Sequence, residues 1–113
     1  MAPRIRSIGV IGKRWFDRVN GNTYNSVEIF VNGRKEAVLP FGYGYGDYYV
    51  QRAVEWLIDR GFLYLTPDQI ERKERTGSTP PLWQLTRERG IEMDYEAIDV
   101  PRKRDLDREA WER

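Results

Sequence analysis

A β-hairpin is encoded by residues 24–41, YNSVEIFVNGRKEAVLPF, and this stretch decides the fold. Its first half alternates apolar and more polar residues, the period-two pattern of a strand with one buried face. Asn32-Gly33 follows, a strong signal for a two-residue hairpin turn. We therefore predict two antiparallel strands, over residues 24–31 and 35–41.

The register of this hairpin has two solutions. A two-residue turn pairs Val31 with Arg34 and places Glu36 opposite Ile29, on the apolar face. A loop of odd length instead brings the second strand's apolar residues to that face, namely Ala37, Leu39 and Phe41. A slip of one residue exchanges the two faces of a strand, so only one solution can build the core. We favour the apolar register, with or without a bulge.

The clearest helix spans residues 47–60. Apolar side chains recur at helical spacing from Val50 to Ile58, which marks one face for burial. Asp47 stands at its start, and Gly61 is a suitable residue to end it. This helix is expected to cover the apolar face of the hairpin.

The remaining elements extend the same architecture. Further strands are predicted over 4–16 and, as an edge strand, over 91–98; short helices are predicted over 67–76 and 80–89. The fold class is therefore α+β, with an antiparallel sheet of three to four strands packed on the helix. Residues 1–100 are expected to form a single compact domain and residues 101–113 a charged C-terminal tail.

Composition removes several classes of function. The 113 residues contain no Cys and no His, so thiol nucleophiles, Cys-based zinc sites and Ser-His-Asp triads are excluded. No pair of carboxylates is placed as general acid and base, and we expect no catalytic residues, cofactor or metal site. No run approaches the roughly 18 apolar residues of a membrane span, so we expect a cytoplasmic protein without membrane contact.

The near balance of 19 basic and 18 acidic side chains conceals an asymmetry along the chain. The first third is basic, and its strands interleave basic with aromatic residues, the composition of a surface that binds single-stranded nucleic acid. The residues predicted for this surface are Arg4, Arg6, Lys13, Arg14, Trp15, Phe30, Arg34 and Lys35. Two alternatives stay open: Phe30 packs under a C-terminal element, or the acidic strand lies beside the basic one and neutralises it.

A second candidate surface is the loop Gly42-Tyr43-Gly44-Tyr45-Gly46 and the start of the following helix. Its glycines either let the tyrosines pack under the helix or keep them mobile for recognition. Phosphate binding is disfavoured, because Asp47 places a negative charge where the anion would sit. The partner-binding residues predicted here are Tyr43, Tyr45 and Tyr48.

Two motifs carry a family resemblance: Gly21-Asn22-Thr23-Tyr24-Asn25-Ser26-Val27, and Gly42-Tyr43-Gly44-Tyr45-Gly46-Asp47-Tyr48 with the helix through Trp56-Leu57. With them, residues 14–61 resemble small uncharacterised proteins encoded by tailed bacteriophages. The resemblance implies a phage or prophage gene expressed in the bacterial cytoplasm. Such genes often encode accessories of DNA metabolism or inhibitors of host machinery, and no catalytic role carries over.

Two functions are compatible with these observations. The first is a small non-enzymatic accessory that binds nucleic acid, single-stranded in preference to duplex, through the basic, aromatic sheet face. The second is an inhibitor or adaptor that binds a host or phage protein through the Tyr/Gly-rich loop and the C-terminal segment.

Overall fold

The computed structural model describes residues 5–44 and 46–106 and confirms a mixed α+β fold with a sheet packed on helices. The strands are β1 (Ser7–Asp17), β2 (Asn22–Val31), β3 (Arg34–Tyr43) and β4 (Glu92–Asp99). The helices are α1 (Tyr48–Asp59), α2 (Pro67–Thr76) and α3 (Leu82–Glu88), followed by a 3-10 helix (Lys103–Leu106). The four strands are ordered β3-β2-β1-β4.

The edge strand β4 departs from the expected antiparallel arrangement. β1, β2 and β3 form an antiparallel meander, whereas β4 runs parallel to β1. The reason is the connection: the chain leaves the sheet after β3, passes through all three helices and returns in the direction of β1. A parallel pair requires such a crossover, which short-range sequence patterns do not report.

The β2–β3 hairpin combines both registers that the sequence allows. Asn32 and Gly33 have φ of 52° and 79°, as a two-residue turn requires, and Val31 pairs with Arg34. A bulge then follows, because Phe30 pairs with Lys35 while Ile29 pairs with Ala37. Glu36 is the extra residue, and its insertion brings the apolar side chains of β3 back into register with those of β2.

The core lies between one face of the sheet and the helices. Its fully buried side chains come from β1, β2, α1, α3 and the segment after α1, namely Ile8, Val10, Val27, Ile29, Ala53, Val54, Leu57, Leu63, Leu82 and Leu85. α1 therefore covers the sheet as its apolar stripe predicts. Asp47 precedes α1, but its side chain makes no capping hydrogen bond to the helix.

Gly12 marks the closest approach between β1 and α1. The ring of Tyr49, which is fully buried, lies directly over it. A Cβ atom at Gly12 would stand 2.3 Å from Tyr49 Cγ and 2.4 Å from its Cδ2. Only a glycine therefore leaves room for the aromatic ring at this point in the strand.

The expected C-terminal tail begins with folded residues. The 3-10 helix packs against β1, and its Leu106 is completely buried. In the sequence, Leu106 is a single apolar residue within a charged segment. Its burial fixes this part of the chain against the sheet. Residues 107–113 lie outside the described residues.

The turn between β1 and β2 is held by the carboxylate of Asp17. Its Oδ1 accepts from the backbone N–H of Val19 (3.0 Å) and of Asn20 (3.3 Å), and its Oδ2 accepts from Asn20 Nδ2 (2.8 Å). These bonds favour the ionised form, so the pKa of Asp17 lies below its usual value, chiefly through the Asn20 side chain.

The lowered pKa predicts a pH-dependent turn. The stabilisation should be complete above about pH 4, the pKa of an unfolded aspartate, and should be lost as pH falls through the lower folded value. NMR titration of the Val19 and Asn20 amides measures this loss. The variant Asp17→Asn should show no such transition; a wild-type midpoint at or above about pH 4 contradicts the prediction.

Candidate nucleic-acid interface

The second face of the sheet, turned away from the core, carries most of the predicted aromatic residues. Trp15 pairs with Tyr24 across β1 and β2, and Tyr24 pairs with Tyr43 on β3. The Trp15 and Tyr24 rings are stacked with centroids 5.9 Å apart, and Tyr43 meets Tyr24 edge-on at 5.6 Å. These three rings form a row across one end of the sheet. Of the residues predicted for binding, Trp15 and Tyr43 therefore lie on one surface.

The basic residues of the strands are less available than the sequence indicates. Arg14 points to the helix side, where its Nε donates to Asp99 Oδ1 at 2.9 Å and its Nη1 to the Gly46 carbonyl at 3.3 Å. The bond to Asp99 raises the pKa of Arg14. Lys35 forms an ion pair with Glu28 at 2.6 Å. Both cations are therefore partly neutralised inside the protein.

Strand β4 adds negative charge beside β1. Register places Glu92, Asp94 and Glu96 level with Ser7, Gly9 and Ile11, on the second face of the sheet. Phe30 lies on the same face next to Gly9 and is half-buried. The charge on this face is consequently mixed. Lys13 also lies on it, whereas Arg4 is outside the described residues.

The Tyr/Gly-rich loop is packed on the side that leads into α1. Gly44 is buried beneath Tyr48, since a Cβ on Gly44 would stand 2.3 Å from Tyr48 Cδ2. Tyr43 and Tyr48 are nevertheless each about half exposed, at 53% and 47%. Two of the three predicted tyrosines thus present a surface to solvent, and Tyr45 lies outside the described residues.

A more concentrated basic site lies at the hairpin end of the sheet. An open groove of about 830 Å³ runs between the β2–β3 turn, the segment after α1 and the segment after α3. We call it the arginine groove. Its lining includes Ile5, Asn32, Arg34, Glu36, Arg60, Phe62, Leu63, Tyr64, Arg89 and Ile91. Three guanidinium groups and one carboxylate give it a net positive charge.

Two of the three arginines are fixed in place by the ends of helices. Arg60 and Arg89 are the C-cap residues of α1 and α3, and each precedes a glycine with positive φ. Arg89 donates from Nη1 to the Leu85 carbonyl (2.9 Å) and from Nη2 to the Tyr64 carbonyl. These acceptors are neutral, so the bonds orient the guanidinium and leave its charge in the groove.

Aromatic rings lie near the guanidinium groups of the groove. Gly61 turns the chain so that Phe62 folds back on α1, where its ring stacks on Trp56 at 5.6 Å. The Arg60 guanidinium lies 5.5 Å from the Trp56 ring centre. Leu63 is buried and anchors the segment, whereas the next residue, Tyr64, is 72% exposed. The groove thus offers a free ring beside guanidinium groups.

Sequence reasoning located only part of this groove. Arg34 is a predicted ligand that lines it. The backbone N–H of Arg6, another predicted ligand, donates at 2.7 Å to Oδ1 of Asn32, which also lines the groove. Arg60, Tyr64 and Arg89 were not predicted, because they come together only in the folded chain. The sequence pattern that could have identified Arg60 and Arg89 is the dipeptide Arg-Gly, which follows both α1 and α3.

Comparison with known proteins adds no assignment: the chain matches no protein-family model, no curated protein and no solved structure. Among the described residues, none of the helices is long and apolar enough to cross a membrane. That part of the chain likewise contains no group of three or more acidic side chains arranged to hold a metal ion.

Proposed function

We propose that this protein is a non-enzymatic accessory that binds single-stranded nucleic acid through the arginine groove. The observation that supports this proposal is the placement of Arg34 and Arg60 beside the exposed ring of Tyr64. Neither arginine forms an ion pair with any described residue. Guanidinium groups bind phosphates through a planar fork, and exposed rings stack on unpaired bases.

The predicted residues of the sheet then extend the same path. The backbone of Arg6 contacts Asn32 of the groove, and Lys13 and Trp15 lie in β1, on the second face of the sheet. A strand that leaves the groove along β1 would meet these residues in turn. The acidic side chains of β4 border this path on one side. The preference for a single strand over a duplex comes from the exposed ring of Tyr64, which can stack on an unpaired base.

Substitution of the groove arginines should weaken binding in a salt-dependent way. For Arg34→Gln/Arg60→Gln we expect the slope of log affinity against log salt to fall in magnitude by about 1.4 units, about 0.7 for each phosphate contact with a single strand. Fluorescence anisotropy with a labelled oligothymidine, from about 50 mM salt upward, measures the slope. The variant Tyr64→Ala should weaken binding roughly 5- to 150-fold, the range for loss of one stacked base.

A matched control removes the same charge elsewhere. Arg72 and Arg75 are exposed on α2 and do not line the groove, so Arg72→Gln/Arg75→Gln should bind as the wild type does. Thermal unfolding of each variant confirms that the fold is retained. The proposal fails if the wild type does not bind at low salt, if its binding is insensitive to salt, or if the control loses as much affinity.

A second candidate is an inhibitor or adaptor that binds a protein. It is favoured by α2, which has no buried residue, and by the exposed side chains of Ile70 and Trp83. With the Tyr/Gly-rich loop, these residues form surfaces without a role in the nucleic-acid proposal. Copurification of a defined bacterial protein after nuclease treatment would favour this candidate over the first.

The resemblance of residues 14–61 to tailed-phage proteins supports a setting for either function. We propose that the protein acts in the cytoplasm of a bacterium that carries the phage or prophage. Neighbouring genes for replication, recombination or packaging would support this setting. A location among unrelated chromosomal genes would contradict it.

A further inference from the structure

Strand β4 leaves one edge of the sheet open. Among the described residues it pairs only with β1, in a continuous parallel register from Ser7 opposite Glu92 to Arg14 opposite Asp99. It contains no Pro, no Lys and no bulge. The opposite edge, β3, is protected by two irregularities in its pairing and by Pro40. Bulges and prolines normally prevent further pairing, and β4 has neither. Its protection is its acidic side chains, which repel an acidic strand but attract a basic one.

The unpaired backbone groups of β4 can be identified from its hydrogen bonds. The N–H of Glu92 donates to the Arg6 carbonyl at 2.9 Å, and that of Val100 donates to the Arg14 carbonyl at 2.7 Å. In a parallel ladder alternate residues bond to the same neighbour, so the even-numbered residues of β4 face β1. The N–H and C=O groups of Met93, Tyr95 and Ala97 therefore point away from the sheet, along its free edge.

The side chains of β4 have a different chemistry on each face. Glu92, Asp94 and Glu96 are exposed on one face, and none of them forms an ion pair with a described residue. On the other face Met93 and Ala97 are partly buried, while Tyr95 is 53% exposed with its ring 6.5 Å from that of Tyr49. A strand added at this edge would lie between a row of carboxylates and an aromatic ring.

We propose that the free edge of β4 binds an extended segment of another protein, which adds a fifth strand to the sheet. Strand addition of this kind derives affinity from main-chain hydrogen bonds and specificity from alternate side chains. The segment would carry Lys or Arg at alternating positions, level with Glu92, Asp94 and Glu96, and an apolar residue near Tyr95. This surface is separate from the arginine groove, so its role does not depend on nucleic-acid binding.

A second copy of this chain is a poorer occupant of the edge. Antiparallel pairing of β4 with itself about Asp94 sets Glu92 against Glu96, and pairing about Tyr95 sets Asp94 against Glu96. Like charges directly opposite each other destabilise a sheet. Charge complementarity therefore selects a basic partner strand over a homodimer.

Two peptides of the same composition test the proposal. Lys-Thr-Lys-Tyr-Lys-Thr-Lys alternates its charges, and Lys-Lys-Lys-Lys-Thr-Tyr-Thr does not. We expect the alternating peptide to bind at least about tenfold more tightly in isothermal titration, because only it aligns three cations with the three carboxylates. It should also slow amide hydrogen exchange at Met93, Tyr95 and Ala97.

A proline in β4 separates strand addition from simple charge attraction. Tyr95→Pro removes an N–H that points outward, a substitution that edge strands tolerate, and should reduce binding of the alternating peptide about tenfold or more relative to Tyr95→Thr. Circular dichroism checks that both variants fold. Glu92→Gln/Asp94→Asn/Glu96→Gln should abolish the preference for the alternating peptide, and Arg34→Gln/Arg60→Gln should bind it as the wild type does.

Three results would overturn the proposal. One is a failed peptide test, whether the two peptides bind equally or Tyr95→Pro leaves binding of the alternating peptide unchanged. Another is slow amide exchange at Met93 and Tyr95 without peptide, which would show that the chain's own residues occupy the edge. The third is a wild-type dimer in sedimentation that the alternating peptide does not dissociate.

Discussion

Replacement of Gly12 by alanine is expected to lower the free energy of unfolding by about 3 kcal/mol, the upper part of the usual range for an overpacked core. The added methyl group would stand within 2.8 Å of three atoms of the Tyr49 ring. The backbone of Gly12 has no positive φ, so the cost is that of the clash alone. Relief requires either Tyr49 or the strand to move, and both belong to the close-packed core.

Gly9 provides the matched control for this prediction. It lies three residues away on the same strand but faces the other side of the sheet, where a Cβ would stand 3.5 Å from Phe30 Cβ, an ordinary contact. Gly9→Ala should change the free energy of unfolding by less than about 0.5 kcal/mol. Urea unfolding measures the free energy of unfolding of both variants. If Gly9→Ala and Gly12→Ala lose similar stability, the contact with Tyr49 is not the cause.

Arg52→Ala is expected to lower the free energy of unfolding by about 2–3 kcal/mol, the effect of losing strong hydrogen bonds from a charged donor. From α1 its Nη1 donates to Asn25 Oδ1 at 2.7 Å and to the Asn25 carbonyl at 3.1 Å, and its Nη2 donates to the Pro40 carbonyl at 2.9 Å. Asn25 is buried, so its acceptors have no water to replace the guanidinium. Burial lowers the pKa of Arg52, which still remains charged at neutral pH.

Two further variants refine the Arg52 prediction. Arg52→Lys keeps the charge but cannot supply the planar fork, so it should recover only part of the stability. Gln51→Ala is the control, since Gln51 is adjacent on α1 and its side chain bonds, among the described residues, only to Glu55 at 3.4 Å. We expect its free energy of unfolding to change by less than about 0.5 kcal/mol. If Arg52→Ala unfolds at the same urea concentration as the control, Arg52 does not join α1 to the sheet.

Local patterns account for most of the elements. The apolar stripe from Val50 to Ile58 lies in α1 as expected, and the capping box of Thr66 and Gln69 begins α2. The hairpin register could not be settled from the sequence, because the turn and the apolar alternation disagreed by one residue. The chain satisfies both by inserting Glu36 as a bulge, a choice that depends on packing against the helices.

The candidate surfaces were harder to predict because they depend on tertiary contacts. Arg14 and Trp15 were both predicted for one binding surface, yet they are neighbours in β1 and lie on opposite faces of the sheet. No local pattern indicates that Asp99 would pair with Arg14 across a parallel strand. The arginine groove joins residues from three distant segments. Of the three arginines that line it, only Arg34 is among the predicted residues. Sequence order alone does not show which ends of helices meet at one end of a sheet.

Because β4 is the last strand to be synthesised among the four described strands, it also pairs last. β1, β2 and β3 are neighbours along the chain and can pair as soon as they leave the ribosome, whereas Arg14 and Asp99 are 85 residues apart. Contacts of that separation require a large loop to close and form late. The edge of β1 that pairs with β4 therefore stays open until residues 92–99 have been synthesised. During that interval the nascent protein is most exposed to aberrant strand pairing.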